Sequence, residues 1–205
     1  MRAASEQRKS AGRIILASAS PRRLELLRQI GIEPEQHVCT VDESHQPGET
    51  PEGYVARIAV RKAEYAAATM AELNPVGDYI ITADTTVVFD GKPLGKPADF
   101  NAAVATWRRL SGQQHSVLTH VALWHNRQIS SALCSSAVYF GQIPEASFRQ
   151  YWDHGEPADK AGGYAIQGLA AAWIERIEGS YSGIMGLPLF ETRALLLKAG
   201  YNELL

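Results

Sequence analysis

Cysteine is scarce: two residues in 205, Cys39 and Cys134, far apart and in apolar surroundings. That excludes a disulfide framework and a thiolate zinc site, and a reducing compartment fits best. Long apolar runs are lacking as well. No stretch approaches the roughly 18 apolar residues of a membrane span, and Ile14 to Ala17 is too short for a signal-peptide core. Nor is there an excess of one charge: 20 Lys and Arg face 22 Asp and Glu, for a formal charge of -2. This balance argues against broad coating of nucleic acid but permits a local basic pocket. The six histidines show no HExxH spacing, and no Ser-His-Asp order is convincing. His115 and His120 read as strand residues. A GxxxxGK[ST] loop and an early GxGxxG are both missing, so the usual phosphate and dinucleotide motifs are excluded.

What is present is a chain with 45% hydrophobic and 20% charged residues, enough to bury a substantial core. Residues 1–12 are polar and partly basic and read as a flexible extension of a cytoplasmic protein, with organelle targeting as the lesser reading. Residues 13–205 read as a single domain. Arg13 to Ala17 is expected as a first strand; Ser20-Pro21 then supplies a cap and a proline for a helix that ends near Gly31. His37 to Val41 is expected as a second strand, and Pro51 as the start of a helix to about Leu73, with Tyr54, Ile58 and Tyr65 on its apolar stripe. Tyr79–Ala83 and Thr86–Phe89 read as two strands parted at Asp84 and Thr85, followed by a turn at Asp90-Gly91. A helix over Asp99–Leu110, paired strands over Gln114–His125 and Gln128–Phe140, a short helix from Pro144, a strand over Ala172–Ile177 and a helix over Pro188–Lys198 complete a mixed α/β pattern.

Arg22 and Arg23 fall in the first turn of the first helix, where the dipole disfavours cations. A bound phosphate reverses that, since it accepts backbone N–H groups and guanidinium donors, with Ser18 and Ser20 adding hydroxyls. An ordinary Ser-Pro cap followed by two surface arginines is the plainer reading. Asp84 lies between apolar segments, so it is expected at a strand end near the interior, with a lysine, a hydroxyl or a divalent ion close by. Asp42 and Glu43 offer further carboxylates, suited to Mg²⁺ or Mn²⁺, or else belong to a solvated loop. Lys62, Lys92 and Lys96 are candidate polyphosphate contacts or simple surface cations. In EPADKAGGYAIQG, Asp159 and Lys160 precede a glycine pair that permits close backbone approach to a ligand, and Gln167 can both donate to and accept from a base edge. A loop supported by Tyr164 and Ile166 is the alternative.

Taken in order, the segments ASASPRR, VDE, ITADTTV, GKPLGKP, DKAGGYAIQG and GSYSGIMGLPLFET resemble the Maf family of nucleoside triphosphate pyrophosphatases over essentially Arg13 to Lys198. The resemblance implies a Maf/HAM1-like (ITPase-like) α/β fold: a mixed twisted sheet with flanking helices and a cleft between two lobes, in a homodimer. It implies hydrolysis of the α–β phosphoanhydride bond with a divalent cation, Mg²⁺ or Mn²⁺. Asp84 takes the catalytic position, as base or metal-linked water activator. Glu43 and Asp84 become metal-linked, and Ser18, Arg22, Arg23, Lys62, Lys96 and Lys160 phosphate- or substrate-binding. Arg22, Thr85 and Gln167 match the subgroup acting on dTTP and UTP; relatives acting on 7-methyl-GTP carry tryptophan, glutamine and glutamate there. A 7-methyl-GTP enzyme and a non-enzymatic nucleotide-binding regulator of septum formation are the rival readings. No stable binding of nucleic acid or membrane is expected.

Overall fold

The computed structural model describes residues 12–70 and 77–202. The expected extension over residues 1–11, and the stretch 71–76 into which the second helix was expected to run, lie outside the described residues. Apolar runs and alternating segments make the strands β1 (Ile14–Leu16), β2 (Glu35–Gln36), β3 (Tyr79–Phe89), β4 (Lys92–Leu94), β5 (Gln114–His125), β6 (Gln128–Phe140) and β7 (Ile174–Glu178). Among the described residues they form one mixed sheet in the order β2-β1-β3-β5-β6-β7, with β4 paired to β3. β1 runs parallel to β2 and β3; every other pairing is antiparallel. The helices α1 (Pro21–Gln29), α2 (Pro51–Thr69), α3 (Phe100–Leu110), α4 (Phe148–Asp153), α5 (Tyr181–Met185) and α6 (Leu189–Lys198) flank this twisted sheet.

Several elements sit where their residues require. Asp90 and Gly91 take φ of 50° and 69°, the left-handed pair that closes a two-residue hairpin between β3 and β4. Asn126 and Arg127 do the same for β5 and β6. Asp99 caps α3 by accepting from the Ala102 N–H at 2.8 Å. Thr50 caps α2, its hydroxyl accepting from the Gly53 N–H at 3.1 Å. Thr50→Ala is therefore expected to cost about 1 kcal/mol, read as a lowered urea midpoint at unchanged slope.

Other expectations need correction. β3 is one strand of 11 residues: Asp84 and Thr85 stay paired with His120 and Thr119 of β5, so Asp84 lies in mid-strand rather than at an end. The second strand is Glu35–Gln36, not His37–Val41; the His37 N–H still reaches Leu16 O, after which the chain leaves the sheet and Cys39 packs beside α2. α2 ends at Thr69 because Met70 is already extended. Its buried stripe is Val55, Ile58, Ala59, Ala63 and Ala66, while Tyr65 faces solvent. The Ser20 side chain makes no cap bond at α1. β4 and α5 are not among the expected elements, since three and five residues are too few to show a period.

Apolar side chains gather at two ends of the sheet. Trp107, Phe140, Tyr151 and Tyr164 centre a core beneath α3 and α4. At the other end, Leu16 packs with Leu27 of α1 and Leu196 of α6, and Ile15 and Ile80 pack with Ala59 and Ala63 of α2. Residues from both ends line a shared cleft.

Candidate active site

The cleft has a volume of about 730 Å³. Its first part is the loop from β1 into α1. Ser18 is buried and its hydroxyl oxygen accepts from the Ser20 N–H at 3.2 Å and from Arg23 Nη1 at 3.1 Å. Arg23 also donates through Nε to Gly186 O at 2.8 Å and through Nη2 to Thr85 Oγ1 at 3.3 Å. Thr119 spends its proton on Gly183 O at 2.7 Å, so Thr85 donates to Thr119 Oγ1 at 2.9 Å and is left to accept from Arg23. The guanidinium is thus held by neutral oxygens alone. Burial lowers its pKa, opposed only in part by Asp84. A half-buried cation whose hydrogen bonds go to neutral oxygens keeps its charge available to an anion.

The second part is a three-residue charge cluster. Lys62 Nζ, projecting from α2, lies 2.9 Å from Asp84 Oδ1 and 2.6 Å from Glu43 Oε1. The Lys62 and Asp84 side chains are 12% and 10% exposed, and Glu43 is 52% exposed at the mouth. Desolvation raises the Asp84 pKa despite Lys62 and Arg23, which pull it down. The Tyr54 phenol, whose hydroxyl donates to Glu43 O at 3.0 Å, is pushed up to about 12 by burial, then by Asp84 and Glu43. Among the described residues no group of three or more His, Cys, Asp or Glu could hold a metal. Two carboxylates converging on one cation nevertheless suit Mg²⁺, which is commonly held by one or two carboxylates with water and substrate phosphates as the remaining ligands.

The rest of the lining comes from β4, Lys96 and the loop around Gly162-Gly163. Both glycines have positive φ, 71° and 66°, and an added Cβ at Gly162 would lie 3.2 Å from Val87. The loop is fixed from the core: Trp107 Nε1 donates to Gly163 O at 2.8 Å, and His115 Nε2 meets the Tyr164 hydroxyl at 2.6 Å. Burial lowers the His115 pKa to about 4, so this ring is neutral near pH 7. Lys160 reaches back into its own loop, donating to Asp159 Oδ1 at 2.6 Å and Glu156 O at 2.8 Å. Gln167 is exposed on the cleft.

The structure brings together at one cavity Ser18, Arg22, Arg23, Glu43, Lys62 and Asp84, with Thr85, Lys96, Lys160 and Gln167. Asp42 is not among them; its Oδ1 accepts from the Ser44 N–H at 2.9 Å and shapes the loop instead. Lys92 sits exposed on β4. His45, Tyr54 and Cys39 line the cavity without having been singled out as site residues. Tyr54 was hidden because a tyrosine on a helical stripe reads as core, and nothing in the spacing marks His45.

The model of Maf-like proteins matches residues 13–199. The chain belongs to the Maf family. A relative from Hahella chejuensis, called a dTTP/UTP pyrophosphatase, is 46% identical over 188 residues, covering 92% of each chain. One of the same name from Cupriavidus pinatubonensis is 49% identical over 193 residues, 91% of this Maf protein and 96% of its own length. The solved structure of the Staphylococcus aureus Ham1 protein aligns with 62% of this chain and 71% of its own at a TM-score of 0.41 and 15% identity, a likeness that decides nothing further. Among the described residues no helix is long and apolar enough to cross a membrane.

Proposed function

We propose that this Maf protein hydrolyses dTTP and UTP, and modified pyrimidine nucleotides of the same shape, to the nucleoside monophosphate and pyrophosphate. The observation that carries the reading is the half-buried Arg23 guanidinium, bonded among the described residues to neutral oxygens only, in one cavity with the Asp84–Lys62–Glu43 cluster. The names of the relatives support the substrate class. Residues 13–205 act as one domain in this reading, and the protein works as a homodimer.

Water attacks the α phosphorus; a new P–O bond forms, the bond to the bridging oxygen breaks, and pyrophosphate leaves. Asp84 receives the proton of the water, a task suited to a carboxylate whose pKa burial has raised. Lys62 orients Asp84 and offsets charge on the transferring group. Arg22, Arg23 and Ser18 hold phosphate oxygens, with Lys96 and Lys160 along the chain. Glu43 and Asp84 would hold the divalent cation, Mg²⁺ or Mn²⁺, which when bound polarises phosphate oxygens and activates water. Arg22, Thr85 and Gln167 set the substrate, Gln167 reading a neutral pyrimidine edge through one donor and one acceptor.

The test is product release from dTTP, UTP, CTP, GTP and 7-methyl-GTP with Mg²⁺ or Mn²⁺. Monophosphate plus pyrophosphate from dTTP or UTP is the expected result. Turnover confined to 7-methyl-GTP would overturn the base assignment, and none with any substrate would favour a nucleotide-binding regulator of septum formation. Gln167→Glu is expected to lower kcat/KM for dTTP about tenfold relative to 7-methyl-GTP, because a carboxylate offers no donor to the pyrimidine and attracts a cationic base. An unchanged ratio would remove Gln167 from base recognition.

A further inference from the structure

We infer that His45 is an additional phosphate-binding residue, donating a ring N–H to the pyrophosphate portion of the bound triphosphate. The inference rests on the pyrophosphatase reading above and adds a contact to it. His45 lines the cavity, and its ring stacks on Tyr54 with centroids 3.9 Å apart and planes 18° from parallel. Tyr54 lines the same cavity as Asp84 and Glu43, and its hydroxyl donates to Glu43 O at 3.0 Å. His45 is therefore one ring away from the charge cluster at which the α phosphorus is attacked.

The imidazole is held in place rather than free on a loose loop. Arg57, from α2, grips Glu49 through Nε at 2.6 Å and Nη2 at 2.7 Å, and Nη2 also donates to Ser44 O at 3.0 Å. Asp42 fixes the other side of the same turn through the Ser44 N–H. These bonds bracket His45 in sequence and set its ring against α2. The ring itself makes no hydrogen bond to a described residue, although it is exposed on a cavity whose other lining includes Arg22, Arg23 and Lys96. An oriented imidazole with an unspent N–H, on a cavity that also presents Arg22, Arg23 and Lys96, matches phosphate oxygens. A stacking platform for the base is the competing use of the same ring; there the aromatic face, not the N–H, is what matters.

The experiment compares wild type, His45→Phe and His45→Gln by calorimetric binding of inorganic pyrophosphate and of dTMP, and by steady-state kinetics on dTTP. Phenylalanine keeps the stack on Tyr54 and loses the donor; glutamine keeps a donor and loses the stack. The expected result is pyrophosphate affinity about tenfold weaker in His45→Phe, dTMP affinity unchanged, KM raised with kcat nearly constant, and most of the loss recovered in His45→Gln. Wild-type pyrophosphate affinity in His45→Phe, or weaker dTMP binding in His45→Gln alone, would overturn the inference. Failure of wild type to turn over dTTP would instead strike the pyrophosphatase reading, and the pyrophosphate titration still decides the contact.

Discussion

Asp84→Asn is expected to cut turnover of dTTP by about 10²–10⁴-fold, the range for loss of a positioned general base, while the protein stays folded and its melting temperature at pH 7 does not fall. Asparagine is nearly isosteric and leaves Lys62 bonded to Glu43 at 2.6 Å. The sign of the stability effect follows from the raised Asp84 pKa. A carboxyl whose folded pKa exceeds its unfolded value contributes most stability below the unfolded value, and that contribution is lost as pH rises through the folded one. Above that window the wild type carries the cost of a buried ionised carboxylate, and asparagine removes it. The melting difference should shrink as pH falls through the raised pKa of Asp84, where the carboxyl takes up its proton. Such a trade of stability for activity is a known property of reacting groups. Turnover within threefold of wild type would remove Asp84 from the reaction.

The second large effect belongs to Lys62→Met. Methionine matches the stem but leaves Asp84, 10% exposed, without the ammonium 2.9 Å away. Breaking a buried pair on one side costs about 3 kcal/mol, and kcat should fall about 100-fold as Asp84 loses its orientation and shifts toward the protonated form. Loss of Lys62 raises the Asp84 pKa further, so the deficit is full at neutral pH and narrows as acid protonates the carboxyl. Denaturant unfolding followed from pH 7 down to the acid side of the Asp84 pKa reads this directly. Adding Asp84→Asn to Lys62→Met should recover most of the lost stability, because no unpaired carboxylate remains. A deficit unchanged across that whole range would show that the pair does not govern stability.

The sheet is legible in the sequence wherever a segment is long enough to show a period: Gln114–His125 and Gln128–Phe140 alternate, and Asp90-Gly91 marks its own turn. Short pieces such as β4 and α5 carry no period, and their existence depends on pairing with β3 or packing on β5 and β6. Asp84 shows why the strand break was misplaced. A charge in an apolar run reads as an end, but the ammonium of Lys62, 22 residues earlier, lets the strand continue. Arg22 and Arg23 were visible as a local conflict with the helix dipole. Their partners were not: Arg23 is held by Gly186, Thr85 and Ser18, and only the fold brings these together. Asp42 and Glu43 are neighbours with the same chemistry, and only the turn that binds Asp42 to Ser44 separates their roles.

The central claim, water attack at the α phosphorus, is tested most directly by hydrolysing dTTP in ¹⁸O-labelled water and weighing both products. The expected products are dTMP carrying one ¹⁸O and unlabelled pyrophosphate. Label in pyrophosphate would place the attack on the β phosphorus, and release of orthophosphate with dTDP would contradict the reaction altogether.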